Sequence, residues 1–270
     1  MNRFRNLHTV LIGATALVFT GAWITPAHYT QPAVRASVTA PSAVTAVPTS
    51  TAGHSVSSPL AVATKTALDA FKAAVRPLSH PMALESAFRS YFAFKSAHPD
   101  EVKKPLLYFV DYGLPSTAPR GYVFNMKTLQ VVDGPFTVAH GRGSSTSQFG
   151  IPTRFSNGFG AATTSLGLYV AKALYNFHGH NAGQSYSSVG MRLQGESRGF
   201  NDNAFARGVV AHGAPYVTAT RAGRSEGCPA MEPARAERLL PQLADGGMVF
   251  LFAPDAHWMN SDPWLNASAN

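Results

Sequence analysis

The first regular pattern along the chain is helical. Leu60, Thr64, Ala67, Leu68, Phe71 and Val75 recur at helical spacing and stop before Pro77. A second stripe of Leu84, Ala87, Phe88, Tyr91 and Phe92 predicts a helix from about 81 to 97, with Pro81 in its first turn and His98-Pro99 at its end. After Pro105 the texture changes. Short segments rich in Val, Phe, Tyr and Leu, bounded by Gly or Pro, predict strands at 106–112, 121–125, 129–139, 166–171, 189–193, 208–212 and 248–253. Loops rich in Gly, Ser and Asn separate them, notably 141–147 and 178–188. One late helix is expected from Glu232 to Ala244, with Glu232 and Pro233 favouring its first turn and Gly246-Gly247 its end. The folded part is therefore mostly β in an α+β arrangement, a β-sandwich or distorted barrel preceded by a helical pair.

The ends of the chain read differently. Arg3 and Arg5 precede an apolar run from Thr9 to Ile24, the pattern of a signal peptide or of an uncleaved N-terminal anchor over 1–27. Residues 28–59 are mostly Ala, Val, Ser, Thr and Pro without apolar periodicity, as in a flexible linker. These divisions leave a helical segment at 60–104, a mostly-β domain at 105–254 and a polar tail at 255–270, whose Trp258 and Trp264 are expected to pack back on the domain. The chain is expected to be exported, to the periplasm or cell envelope, with a possible membrane tether through its N-terminal segment.

Composition narrows the partners. Of 270 residues, 22 are Lys or Arg and 14 are Asp or Glu, a net charge of +8. Outside the cell such a charge draws anionic wall polymer or a membrane surface, and no nucleic acid partner is expected. Hydrophobic residues at 45% support a sizeable core, and charged residues at 13% exclude a coiled coil. The single cysteine, Cys228, excludes an internal disulfide and a CxxC metal site.

The chemistry concentrates in two short stretches. His212-Gly213 ends a strand, and sixteen positions later Cys228 follows Arg224-Ser225-Glu226-Gly227 and precedes Pro229-Ala230-Met231 and a helix. A thiolate is a strong nucleophile, and a nearby imidazole or helix N-terminus lowers its pKa. Gly227 permits a tight turn whose amides can bind an oxyanion.

These residues resemble the L,D-transpeptidase catalytic domain (YkuD-like) family, as a divergent branch. That family carries His-Gly at a strand end and Ser-His-Gly-Cys about fifteen residues later. Weaker likenesses are Ala139-His140-Gly141-Arg142-Gly143 and Thr164-Ser165-Leu166-Gly167-Leu168-Tyr169, so that the resemblance covers roughly 106–253. Two positions depart from it. Glu226 replaces the usual histidine, and Ala230 replaces an arginine two residues after the cysteine that helps orient substrate. Arg224 is a candidate substitute.

The resemblance implies a YkuD-like fold and a mechanism that needs no cofactor and no metal. Cys228 would attack the L,D peptide bond of a peptidoglycan stem tetrapeptide. His212 would act as general base and then acid, oriented by a backbone carbonyl at Gly213. Amides of Gly227 and Cys228 would hold the oxyanion. Ser225, Arg224 and His140 are candidates for substrate binding, Ser225 equally for bracing the loop. An amine acceptor gives a cross-link, and water gives an L,D-carboxypeptidase. Two other readings stand beside it. His178 and His180, with Asp202 or His212, would make a zinc-dependent cell-wall peptidase or amidase, although no strong zinc signature is present. A non-catalytic peptidoglycan-binding module is the other.

Overall fold

The computed structural model of the protein describes residues 58–267. The expected leader at 1–27, all but the last two residues of the linker at 28–59, and the last three residues of the chain lie outside the described residues.

Helix α1 (Pro59–Phe71) starts where Ser58 Oγ accepts a hydrogen bond from Ala61 N–H at 3.2 Å, with Pro59 in the first turn. It stops at Phe71, short of the apolar pattern's last member, Val75. Helix α2 (Ala83–Ala97) carries Glu85 in its first turn and Lys95 in its last, charges that suit the ends of the helix dipole. The strands that follow are β1 (Leu106–Asp111), β2 (Gly121–Asn125), β3 (Gln130–Phe136), β4 (His140–Gly141), β5 (Gly167–Asn181), β6 (Gln184–Gly195) and β7 (Val210–Gly213). Short strands β8 (Val217–Thr218), β9 (Arg221–Ala222), β10 (Arg224–Ser225) and β11 (Ala230–Met231) lead to α3 (Pro233–Leu243), β12 (Met248–Phe252) and α4 (Ala256–Ser261).

Eight of these strands form one mixed sheet in the order β11-β7-β6-β5-β12-β1-β2-β3. The mostly-β, α+β expectation is met, and the barrel alternative takes the form of an open sheet. Its two edges nevertheless approach each other: beyond β3, Ala139 N–H donates to Ala230 O of β11 at 2.8 Å. The interior strand β1 is buried from Leu107 to Asp111, so both of its faces are covered. On one face Phe124 of β2 meets Phe71 of α1 and Phe88 of α2, at centroid distances of 4.6 and 5.5 Å. On the other, Tyr108 stacks on Phe136, over which lies the guanidinium of Arg235 from α3. The helical pair is thus part of the same core as the sheet. The C-terminal segment also packs: Trp258 is buried, and Trp264 donates its indole N–H to Glu196 O at 2.7 Å and packs edge-on against Phe94.

The expected loop at 178–188 is instead the tip of a long hairpin. Strands β5 and β6 pair from Asn181↔Gln184 inward, around a two-residue turn of Ala182 and Gly183, both with positive φ (49° and 80°). Such a turn matches the twist of the two strands it joins. Its Gly, Ser and His composition hides an alternation in which Tyr175, Phe177 and Gly179 are half-buried and Asn176, His178 and His180 are exposed.

Candidate active site

Two parallel ladders build the site. In one, β11 runs beside β7 and pairs Ala230 with His212. In the other, β10 runs beside β4 and pairs Arg224 with His140. The chain crosses from the second ladder to the first through Glu226, Gly227, Cys228 and Pro229. That crossing fixes its conformation. Gly227 has φ = 128°, and a Cβ there would stand 2.7 Å from Thr163 O, so glycine is required on two counts. Ser225 Oγ ties the turn together, accepting from Gly227 N–H at 3.1 Å and donating to Cys228 O at 2.7 Å.

Cys228 emerges half-buried from this turn. Burial pushes its thiol up to about 11, and Glu226 adds to the rise; a backbone hydrogen bond from Val210 and the charge of Arg207 oppose it. His212 is buried, with 2% of its surface exposed. Its Nδ1 lies 2.9 Å from Gly213 O, and since a carbonyl only accepts, Nδ1 carries the proton and Nε2 has the free lone pair. Burial holds the imidazole down at about 4, against the pull of that carbonyl. Both groups are therefore neutral at rest around neutral pH. The hairpin supplies much of the burial: Phe177 stacks on the His212 ring at 3.9 Å between centroids and 21° between planes.

Beside Cys228 lies a cavity of about 250 Å³ lined by Glu226, Arg207, Val209, Phe159 and Ala162. Its two charges differ in how they are held. Glu226 forms an exposed ion pair with Arg142 at 2.7 Å. Arg207 is half-buried and donates from Nη1 to Ser156 O (2.9 Å) and Ser165 Oγ (2.7 Å), and from Nη2 to Thr163 O (3.1 Å).

The structure thus places Gly227 and Cys228 on a Ser225-braced turn that leads into β11, beside the strand that carries His212 and Gly213, and it shows how the remaining candidates are held. The Gly227 amide is taken by Ser225 Oγ, whereas the Cys228 amide makes no hydrogen bond among the described residues. Ser225 braces the turn and is itself buried. His140 is fully buried: Arg120 Nη2 donates to its Nδ1 at 3.0 Å, and burial, then Arg120 and Arg224, push it down to about 3. Arg224 is exposed and donates to Ser145 O at 3.3 Å, on the loop that follows β4.

The zinc arrangement does not assemble. His178 and His180 are exposed on the hairpin, His178 Nδ1 lies 3.0 Å from Ser187 Oγ, and Asp202 accepts from Asn157 Nδ2 at 2.6 Å. Among the described residues no group of three or more His, Cys, Asp or Glu side chains could hold a metal ion.

Two side chains of the site were not found by motif. Arg207 reaches the cavity from the turn before β7, and its only sequence signal is its place just ahead of Gly208. Phe177 belongs to the hairpin mistaken for a loop, and its signal is the alternation of Tyr175, Phe177 and Gly179.

A family model described as the L,D-transpeptidase catalytic domain (YkuD_2) matches residues 77–252. Among solved structures, the chain is similar to an L,D-transpeptidase from Mycobacterium smegmatis at 15% identity and a TM-score of 0.33, covering 55% of this chain and 59% of that one. It is also similar to an L,D-transpeptidase from Stackebrandtia nassauensis at 15% identity and a TM-score of 0.35, covering 63% of this chain and 66% of that one. The chain spans less than two thirds of the length of each. Comparison with curated proteins gave no match.

Proposed function

Because the chain belongs to the L,D-transpeptidase catalytic domain family, we propose that it is an exported, cysteine-dependent peptidoglycan L,D-transpeptidase acting on stem tetrapeptides. The observation that carries this reading is a half-buried thiol on the Ser225-braced turn, two residues before the Ala230 that pairs with His212, whose imidazole Nδ1 is held by Gly213 O.

The proposed steps follow from these groups. Cys228 Sγ attacks the carbonyl of the L,D peptide bond while His212 Nε2 takes the thiol proton. The Cys228 N–H, unengaged among the described residues, stabilises the oxyanion. As the tetrahedral adduct collapses, the C–N bond breaks and His212 returns the proton to the departing D-alanine amine, leaving a thioester on Cys228. A stem amine then attacks the thioester to form a cross-link, or water does so to trim D-alanine, and the thiol is restored. Because thiol and imidazole are both neutral at rest, proton transfer accompanies attack rather than preceding it. Gly227 contributes through its backbone conformation and Gly213 through its carbonyl. Export, and tethering or cleavage of the N-terminal segment, are part of the proposal and rest on Arg3, Arg5 and the apolar run after them.

Mass spectrometry of purified muropeptides incubated with wild type and with Cys228→Ala tests the reading. Wild type should release D-alanine, form cross-links or hydrolysed product, and gain a covalent acyl group. Cys228→Ala should do none of these. Equal turnover by the variant would refute the cysteine mechanism, and binding of peptidoglycan without turnover by wild type would favour a non-catalytic module.

A further inference from the structure

Arg207 is an unusual member of the cavity beside Cys228. Its guanidinium is half-buried, yet no carboxylate among the described residues forms an ion pair with it. Its three acceptors are the neutral oxygens of Ser156, Thr163 and Ser165. Two of its five N–H groups, one on Nε and one on Nη2, have no protein acceptor among the described residues. The nearby carboxylate of Glu226 is held by Arg142 instead. A cation anchored on three sides, without a counter-ion and opening on a cavity that also holds the thiol, is built to receive an anion. The position two residues after the cysteine, Ala230, is fully buried and offers no charge. The other candidate, Arg224, is exposed and does not line this cavity.

Resting on the reading of Cys228 as the nucleophile, we propose that Arg207 is the specificity-determining residue of the site and binds a carboxylate of the acyl donor next to the scissile bond. A stem tetrapeptide offers that group in two places, the C-terminal carboxylate and the side-chain carboxylate of its third residue. Arg207 serves either by the same charge-assisted hydrogen bonds. Anchored on the segment that also supplies the Thr163 oxygen behind Gly227, it holds the donor in a fixed register against the Cys228 turn.

The test compares three peptides on the full chain: the free tetrapeptide, its C-terminal carboxamide, and the form amidated at the side chain of the third residue. kcat/KM is measured for wild type, Arg207→Gln and Arg207→Lys, and binding of the same peptides is measured on Cys228→Ala with and without Arg207→Gln. Loss of a charge-assisted contact predicts that wild type disfavours one amidated peptide by about 10- to 100-fold. Arg207→Gln should bring that ratio to about one, mainly through KM, and Arg207→Lys should restore part of it. Wild type indifferent to both amidations overturns the proposal, as does a Gln variant that slows all three peptides equally, the mark of a loop brace. If Arg207→Gln does not fold, the wild-type ratio and the Lys variant decide. Discrimination in binding to Cys228→Ala without any turnover by wild type would sink the transpeptidase reading and leave the carboxylate site standing, whereas absence of both binding and turnover overturns the two together.

Discussion

Replacing Phe177 with alanine should make the site acid-sensitive. The ring covers one face of His212 at 3.9 Å, and burial is the leading cause of the fall of that imidazole from 6.5 to about 4. That fall corresponds to about 3 kcal/mol of disfavoured protonation. The loss of one covering face admits water to about half of the ring, so about half of that penalty should disappear and the imidazole should titrate near pH 5. The proposed mechanism needs the neutral base, so activity falls as pH drops through the imidazole's value. Wild type should therefore hold kcat/KM down to about pH 4, and Phe177→Ala should begin to lose it about one pH unit higher. Phe177→Leu keeps most of the cover and should stay close to wild type. The assay is kcat/KM on a stem tetrapeptide from pH 3.5 to 8, with NMR titration of the His212 ring in Cys228→Ala as a readout free of chemistry. Thermal unfolding separates any loosening of the hairpin, where truncation of a half-buried Phe costs about 1–3 kcal/mol. An acid limb and a ring titration that do not move in Phe177→Ala would refute the idea that the hairpin sets the state of the base.

The turn and the buried histidine behind it carry two further predictions. Gly227→Ala places a side chain at φ = 128° with its Cβ 2.7 Å from Thr163 O, so it should cost about 1–3 kcal/mol in thermal or urea unfolding and displace Cys228. A displacement of about 1 Å should lower kcat by about 100-fold, and wild-type activity in the variant would show that the turn tolerates a Cβ. His140 is held at about 3 when folded against 6.5 when free, so the unfolded chain binds a proton that the folded chain refuses, and stability falls as pH drops from 6.5 towards 3. His212 acts in the same sense over 6.5 to 4, and Glu196, raised to about 7, acts in the opposite one. His140→Gln should reduce the pH slope of urea stability below 6.5 by about 1.4 kcal/mol per pH unit, and an unaltered slope would mean that His140 is protonated in the native state.

The parts legible in the chain are those fixed by local pattern. The apolar stripe ending in Tyr91 and Phe92 marked α2, Glu232 and Pro233 marked the start of α3, and β2 lay where its Val and Phe and the bounding Gly121 put it. The cysteine turn was readable because Gly227 is compelled by geometry and His212 lies at a strand end. What could not be read depends on contacts across the sequence. His140 resembles a binding residue in its Gly-rich setting, and only the fold reveals that Arg120, twenty positions upstream, encloses it. Ser225 offered two roles of equal weight until the turn closed on its hydroxyl. The hairpin was hidden because its exposed strands need few apolar residues, so the signal is an alternation of Tyr175, Phe177 and Gly179 within a polar stretch.

The positions at which this chain departs from its family's pattern are linked by the same geometry. With Glu226 in place of histidine, the residue before the Gly-Cys pair carries a negative charge that raises the thiol's pKa and is paired with Arg142. With Ala230 in place of arginine, the β11 position paired with His212 becomes small and fully buried, which suits the close ladder between β7 and β11. Both changes withdraw positive charge from the cysteine turn. Arg207 returns one charge from a different segment, and it is the side chain whose charge lowers the Cys228 pKa. That charge only partly offsets the burial that raises the thiol, and it comes from a residue placed through tertiary structure. A motif centred on the cysteine cannot record it, and under the proposal above the donor preference of the site is read at Arg207 rather than at the residues next to Cys228.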